Sequence, residues 1–191
     1  MALRSTIYKA ELVVSDMDRG YYAEHVLTLA RHPSETEERL MVRLVAFALH
    51  ADPQLVFGNG LSTHDEPDLW SRDLTGAIRL WIDVGLPDDK LIRRACGRAE
   101  RVVVLGYGGS RVEQWWARSR VPLSRLENLT VLALPTATTD ELQRMAARNL
   151  RLNCSIQDGE AWFNTDTIGV AVQAVALKSA ERPGFPGQSP Q

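Results

Sequence analysis

The sequence predicts a single α/β domain with a mixed sheet, and three observations predict it. Two β-rich runs near the start, "TIYKAELVV" and "YYAEHVLTLA", flank the turn residues of "SDMDRG", the pattern of a hairpin. In the middle, "GAIRLWIDVG", "LPDDKLIRRACGRAE" and "RVVVLGYG" follow one another as strand, helix and strand. That order reads as a right-handed parallel crossover. Late in the chain, "LRLNCSIQDGEAWFNTDTIGVAVQAVAL" reads as strands joined at Asp158–Gly159 and at "NTDT". No internal repeat or linker divides these segments, so one domain is expected over residues 1–177.

The remaining elements follow in order. Ser34 with Glu37 three residues on is a capping box. Leu40, Met41, Leu44, Val45, Phe47 and Ala48 then recur at helical spacing, which predicts a helix over 35–50. "PQLVFGNG" predicts a short strand and a turn, and "STHDEPDLW" a loop. The crossover helix opens with Pro87 and acidic residues and closes with arginines, as the helix dipole favours. "SRVEQWWARSR" predicts a short helix, "NLTVLALP" a strand, and "TTDELQRMAARN" a helix capped by Thr138 or Thr139. From Lys178 on, "KSAERPGFPGQSPQ" is rich in Pro, Gly and Ser, which predicts a disordered tail over 178–191.

Composition removes several function classes. The chain has 191 residues and a formal net charge of −2, so no overall basic field advertises non-specific nucleic-acid binding. A local basic groove remains open. Cys96 and Cys154 lie far apart with no CxxC, which argues against a disulfide framework or a zinc finger. The start lacks the apolar core of a signal peptide, and no run approaches a membrane span of ~20 apolar residues. A soluble, cytoplasmic protein with no membrane partner is expected, as a monomer or as a two-fold homodimer. "GYGGS" lacks the spacing of nucleotide-binding loops. His25 and His32 read as structural, and His64, Asp65, Glu66 and Asp68 form no trusted transition-metal motif.

Three carboxylates stand out. Asp83 sits in a strand, where aspartate is a poor choice. Alternation puts Ile78, Leu80, Ile82 and Val84 on one face and Arg79, Trp81, Asp83 and Gly85 on the other. Asp83 then either pairs with Arg79 or serves a site. Asp68 follows Pro67, which fixes its place in the chain; it either caps a short helix or serves a site. Glu38 precedes Met41, Val42 and Val45 at i+3, i+4 and i+7, so it borders the apolar stripe. Carboxylates from a helix, a loop and a strand are what a hard cation such as Mg2+ needs, and Mg2+ completes its shell with water and substrate phosphate.

These residues also carry a resemblance. The order helix, strand, strand, strand, helix, strand, with Pro67–Asp68 ahead of a strand bearing Asp83–Val84–Gly85, resembles the PD-(D/E)xK nuclease superfamily. The likeness spans a core of about residues 34–107. A closer resemblance runs along almost the whole chain. "MALRSTIYKAELVVSDMDR", "LTLARHPSETEERLMVRL", "DEPDLW", "LWIDVGLPDD" and "SIQDG" are similar to the YaeQ family of small bacterial proteins. That resemblance implies a restriction-endonuclease-like core with an N-terminal hairpin and extra C-terminal strands. It also implies an association with transcription.

From it follow Glu38, Asp68 and Asp83 as ligands of Mg2+, and Mg2+-dependent phosphodiester hydrolysis on nucleic acid. One departure matters. The superfamily's lysine, two residues after the acid, is Gly85 here. Lys90 on the next helix can take its role, with Asp68 and Asp83 as the other catalytic groups; alternatively Lys90, Arg93 and Arg94 merely complement the helix dipole. The competing expectation is a non-catalytic module that binds nucleic acid or a protein of the transcription machinery.

Overall fold

A computed structural model describes residues 5–59 and 66–181 of the chain. The N-terminal hairpin forms as the turn chemistry predicts. β1 (Thr6–Asp16) and β2 (Tyr21–Arg31) pair antiparallel over their full length. On β1 the residues Tyr8, Ala10, Leu12, Val14 and Asp16 are buried and alternate with more exposed neighbours, as period-two patterning requires of a half-covered sheet.

The helix predicted over 35–50 is α1 (Glu37–Leu49). Its cap is Thr36, whose side chain accepts from the Arg39 N–H, and not Ser34. The Ser34 hydroxyl pairs instead with His32 Nδ1 at 2.6 Å, and Glu37 accepts from the Tyr8 hydroxyl at 3.0 Å. Both halves of the expected capping box are thus occupied elsewhere. Every residue of α1 from Leu40 to Ala48 is buried. A helix buried all round must be covered on several sides, and α1 lies between two sheets.

β3 (Val56–Phe57), β4 (Leu69–Arg72) and β5 (Ile78–Val84) form an antiparallel ribbon. The "PDLW" segment therefore opens a strand, and Asp68 caps no helix. α2 (Asp89–Cys96), with Asp88 as its cap, carries the chain over to β6 (Ala99–Gly106), which lies parallel to β5. α3 (Ser110–Leu123) leads to β7 (Leu129–Ala133), parallel to β6. α4 (Thr136–Arg144) starts after Pro135 with no side-chain cap; Thr139 is buried within it and donates to the Thr136 carbonyl.

The C-terminal strands differ from expectation. β8 (Asn149–Gln157), β9 (Glu160–Asn164) and β10 (Gly169–Val172) do not extend the central sheet. They join the N-terminal hairpin in a five-stranded sheet of order β10-β9-β8-β1-β2, with β8 parallel to β1. Only β11 (Val175–Lys178) enters the other sheet, of order β11-β7-β6-β5-β4-β3. Lys178 is thus the end of a strand, and the Glu181 N–H still bonds the Glu127 carbonyl at 2.7 Å. The rest of the expected tail, 182–191, lies outside the described residues, as do His64 and Asp65.

Two cores result. The larger joins the inner face of the five-stranded sheet, α1, Leu142 of α4 and one face of the six-stranded sheet, with Leu80, Ile82 and Val84. The smaller lies on that sheet's other face, where Trp81, Val102 and Val104 meet Ile92 of α2 and Trp115 of α3. The alternation read from β5 is therefore the boundary between the two cores. Among the described residues no helix is long and apolar enough to cross a membrane.

Candidate active site at the ends of β5 and β6

β4 and β5 run antiparallel with Leu69 opposite Ile82, which brings Asp68 alongside the end of β5. Asp68 Oδ2 accepts the Val84 N–H at 2.7 Å, a buried bond. Gly85, at φ +106°, then turns the chain out of the strand while its N–H still bonds the Leu105 carbonyl at 3.0 Å. The positive φ favours glycine here over lysine or any other side chain. A polar cavity of about 420 Å³ opens at this point, lined by Asp68, Asp83, Glu66, Arg39, Arg94, Arg111 and Tyr107 among others. It lies beyond the C-terminal ends of parallel strands, where ligands of open α/β sheets bind.

A chain of charges fixes Asp68. Arg39 of α1 donates to Asp68 Oδ1 at 2.6 Å and to Glu35 Oε1 at 2.9 Å. Glu35 also accepts from Arg43, at 3.0 and 3.2 Å, and from the His32 N–H at 3.3 Å. Glu35, Arg43 and Asp68 are all buried, and Arg43 is 1 % exposed. Each ion has an opposite partner on at least one side, as burial demands. In the sequence Glu35 has an ordinary place among the acids that favour a helix start, and neither arginine stands out. Arg39 and Arg43 lie four apart on one face of α1, and Glu35, one residue before the cap Thr36, meets them both.

Asp83 is held differently. Its Oδ2 accepts from Trp81 Nε1 at 2.9 Å, so its partner is the indole two residues back. Arg79 sits instead beside Glu100, at 3.6 Å. Burial pushes the Asp83 carboxyl up to about 6; the Asp68 charge adds to this, and the Trp81 bond, an Asp68 backbone bond and Arg39 oppose it. The Tyr107 phenol is raised as well, first by burial, with Glu38, Asp68 and Glu35 adding and Arg39 opposing.

The structure brings two of the four sequence candidates together. Asp68 and Asp83 share the cavity. Glu38, half-buried, stands outside the lining, although its charge is felt at Tyr107. Lys90 is exposed on α2 and does not line the cavity; from the same helix it is Arg94 that does. Trp115 is buried, and its indole N–H reaches the Pro87 carbonyl at 3.0 Å, bracing the turn after Gly85. Trp116 packs at an edge.

Among the described residues no group of three or more His, Cys, Asp or Glu side chains is placed to hold a metal ion. Two carboxylates in one cavity do suit Mg2+, which commonly takes one or two carboxylates and completes its shell with water and phosphate oxygens. Each Asp68 oxygen accepts one bond, and a carboxylate oxygen has a second lone pair to offer.

The comparisons with known proteins agree with one another. The family profile described as "YaeQ protein" matches residues 1–174. The chain is 40 % identical over 176 residues to the YaeQ proteins of Salmonella typhi and of Escherichia coli K12, covering 92 % of this chain and 97 % of each relative. The crystal structure of YaeQ protein from Xanthomonas axonopodis pv. citri superposes with a TM-score of 0.89 at 50 % identity, over 92 % of this chain and 99 % of that one. That of YaeQ protein from Pseudomonas syringae gives 0.88 at 38 % identity, over 93 % and 98 %. The chain belongs to the YaeQ family.

Proposed function

We propose that the cavity is a Mg2+-dependent site for a nucleic-acid phosphodiester, set in a core of restriction-endonuclease-like type, and that its reaction is hydrolysis of that bond. The observation that carries this reading is the meeting of Asp68 and Asp83 in one polar cavity with Arg94 and Arg111. Asp68 and Asp83 would hold the cation, which would supply charge stabilisation at the phosphate and a more acidic water. Arg39 and Val84 keep Asp68 in place. Arg94 and Arg111 suit the phosphate oxygens, since guanidinium forks match that geometry. Glu38 would act from the rim through water, and Lys90 would have to swing in from solvent to assist.

A second reading is favoured by two observations. Gly85 stands where a lysine would orient water, and Lys90 is exposed outside the cavity. The protein would then bind nucleic acid, or a protein of the transcription machinery, without reacting. The test is incubation of the full chain with single- and double-stranded DNA and RNA in Mg2+ or Mn2+, beside Asp83→Asn and a chelator control. Cleavage lost in both controls supports hydrolysis. Cation-dependent binding without cleavage supports the second reading. Neither cleavage nor binding contradicts both.

A further inference from the structure

Among the described residues three of the four sheet edges are short: β10 and β11 have four residues each and β3 has two. Short edges are one way proteins keep sheets from joining to one another. β2 is the exception. It has eleven residues, it is the outer strand of its sheet, and among the described residues no strand pairs with its far side. It carries no proline and no lysine, and its ladder with β1 runs from Tyr21 to Arg31 without a bulge. The usual guards are missing where the edge is longest.

The outward-facing groups can be assigned. Lys9 donates its N–H to the Arg148 carbonyl, on the β8 side of β1. Backbone groups alternate sides along a strand, so Ala10, Leu12 and Val14 turn towards β2. Their register partners Leu27, His25 and Ala23 bond inward. Tyr22, Glu24, Val26 and Thr28 therefore direct their N–H and C=O groups away from the sheet. Val26 is 80 % exposed and Tyr22 65 %.

We propose that β2 pairs antiparallel with β2 of a second copy of this chain, about a two-fold axis at Val26, joining two five-stranded sheets into one. The strand's own sequence argues for that occupant. In this register Val26 meets its equivalent, Tyr22 meets Ala30, Glu24 meets Thr28 and Tyr21 meets Arg31. Apolar side chains face each other, the one mid-strand charge faces a hydroxyl, and no like charges meet. All eleven residues overlap, with the outward Ala30 carbonyl keeping the bond it accepts from Arg43 at 3.4 Å. A register centred on Glu24 would instead set two carboxylates opposite one another. The contact is isologous, so it closes at a dimer. It is independent of the cavity.

The test is sedimentation of the full chain beside Val26→Lys and Val26→Glu. The axis sets position 26 against itself, so either substitution alone opposes two like charges. The wild type is expected to sediment as a dimer, and each variant as a monomer with unchanged circular dichroism and Tm, because the side chain is exposed. An equimolar mixture of the two variants should recover the dimer, because opposite charges then meet at the axis. Thr28→Pro, which removes an outward donor and spares the ladder to β1, should also give a folded monomer. A wild-type monomer at every concentration, a dimer indifferent to both charge substitutions, or a mixture that stays monomeric overturns the proposal.

Discussion

Asp83, half-buried on a strand, and Glu35, buried just ahead of α1, are two acids held in different ways. Asp83, raised to about 6, binds its proton more tightly folded than unfolded. Its ionisation therefore costs stability above that value, and the cost fades as pH falls from about 6 towards 4, by roughly 3 kcal/mol at most. Asp83→Asn should accordingly stabilise the protein at pH 7 in the absence of divalent cation. The gain should vanish near pH 4, as read from denaturant midpoints across that range. Equal stability of wild type and variant at all pH values would remove the buried-acid account. Glu35 is instead paired with two arginines. Glu35→Ala strands Arg43 in the core and should cost about 3–5 kcal/mol. Glu35→Ala with Arg43→Met should recover part of that loss in thermal unfolding. Asp68 and Asp83 were legible because a proline and a strand are unusual settings for aspartate. The Glu35–Arg39–Arg43 chain was not, because charged residues near a helix start have an ordinary explanation in the dipole. Only tertiary packing turns that face inward.

Among elements, the β3–β4 ribbon decides where Asp68 sits. Gly58 bonds the Asp68 carbonyl through its N–H at 2.9 Å. A Cβ on Gly58 would run into the Pro67 carbonyl, a backbone atom that cannot step aside. Gly58→Ala should therefore shift the Pro67–Asp68 segment, lengthening the Asp68–Arg39 and Asp68–Val84 contacts and lowering Tm. A hydrogen-exchange comparison should show faster exchange at the Val84 amide; an unchanged rate there would detach Gly58 from the site. Most elements were legible from periodicity and turn chemistry, including the hairpin, α1 and the β5–α2–β6 crossover. Caps were less so. Ser34 and Thr138 look like caps, but His32 takes the Ser34 hydroxyl, and Pro135 starts α4 before either threonine is reached.

At the scale of the whole molecule, two sheets enclose α1, α4 packs against it through Leu142, and the six-stranded sheet carries α2 and α3 on its outer face. One mixed sheet was the expectation because β8–β10 show the same alternation as any half-buried strand. What sets them in a second sheet is the parallel pairing of β8 with β1, from Lys9↔Asn149 to Asp16↔Ile156. That is a partnership across most of the chain, and local pattern carries no record of it. The arrangement leaves Asp68 and Asp83 at the ends of the β4–β5 pair, reached from one side by Arg39 of the buried α1 and from the other by Arg94 of α2 and Arg111 of α3. The proposed function requires this convergence to bind a divalent cation. Calorimetric titration of Mg2+ and Mn2+ into the full chain tests it most directly, with and without a short oligonucleotide, beside Asp83→Ala. Saturable binding is expected in the wild type, strengthened by the oligonucleotide and lost in the variant. No heat of binding under either condition, or binding unchanged by the substitution, would contradict it.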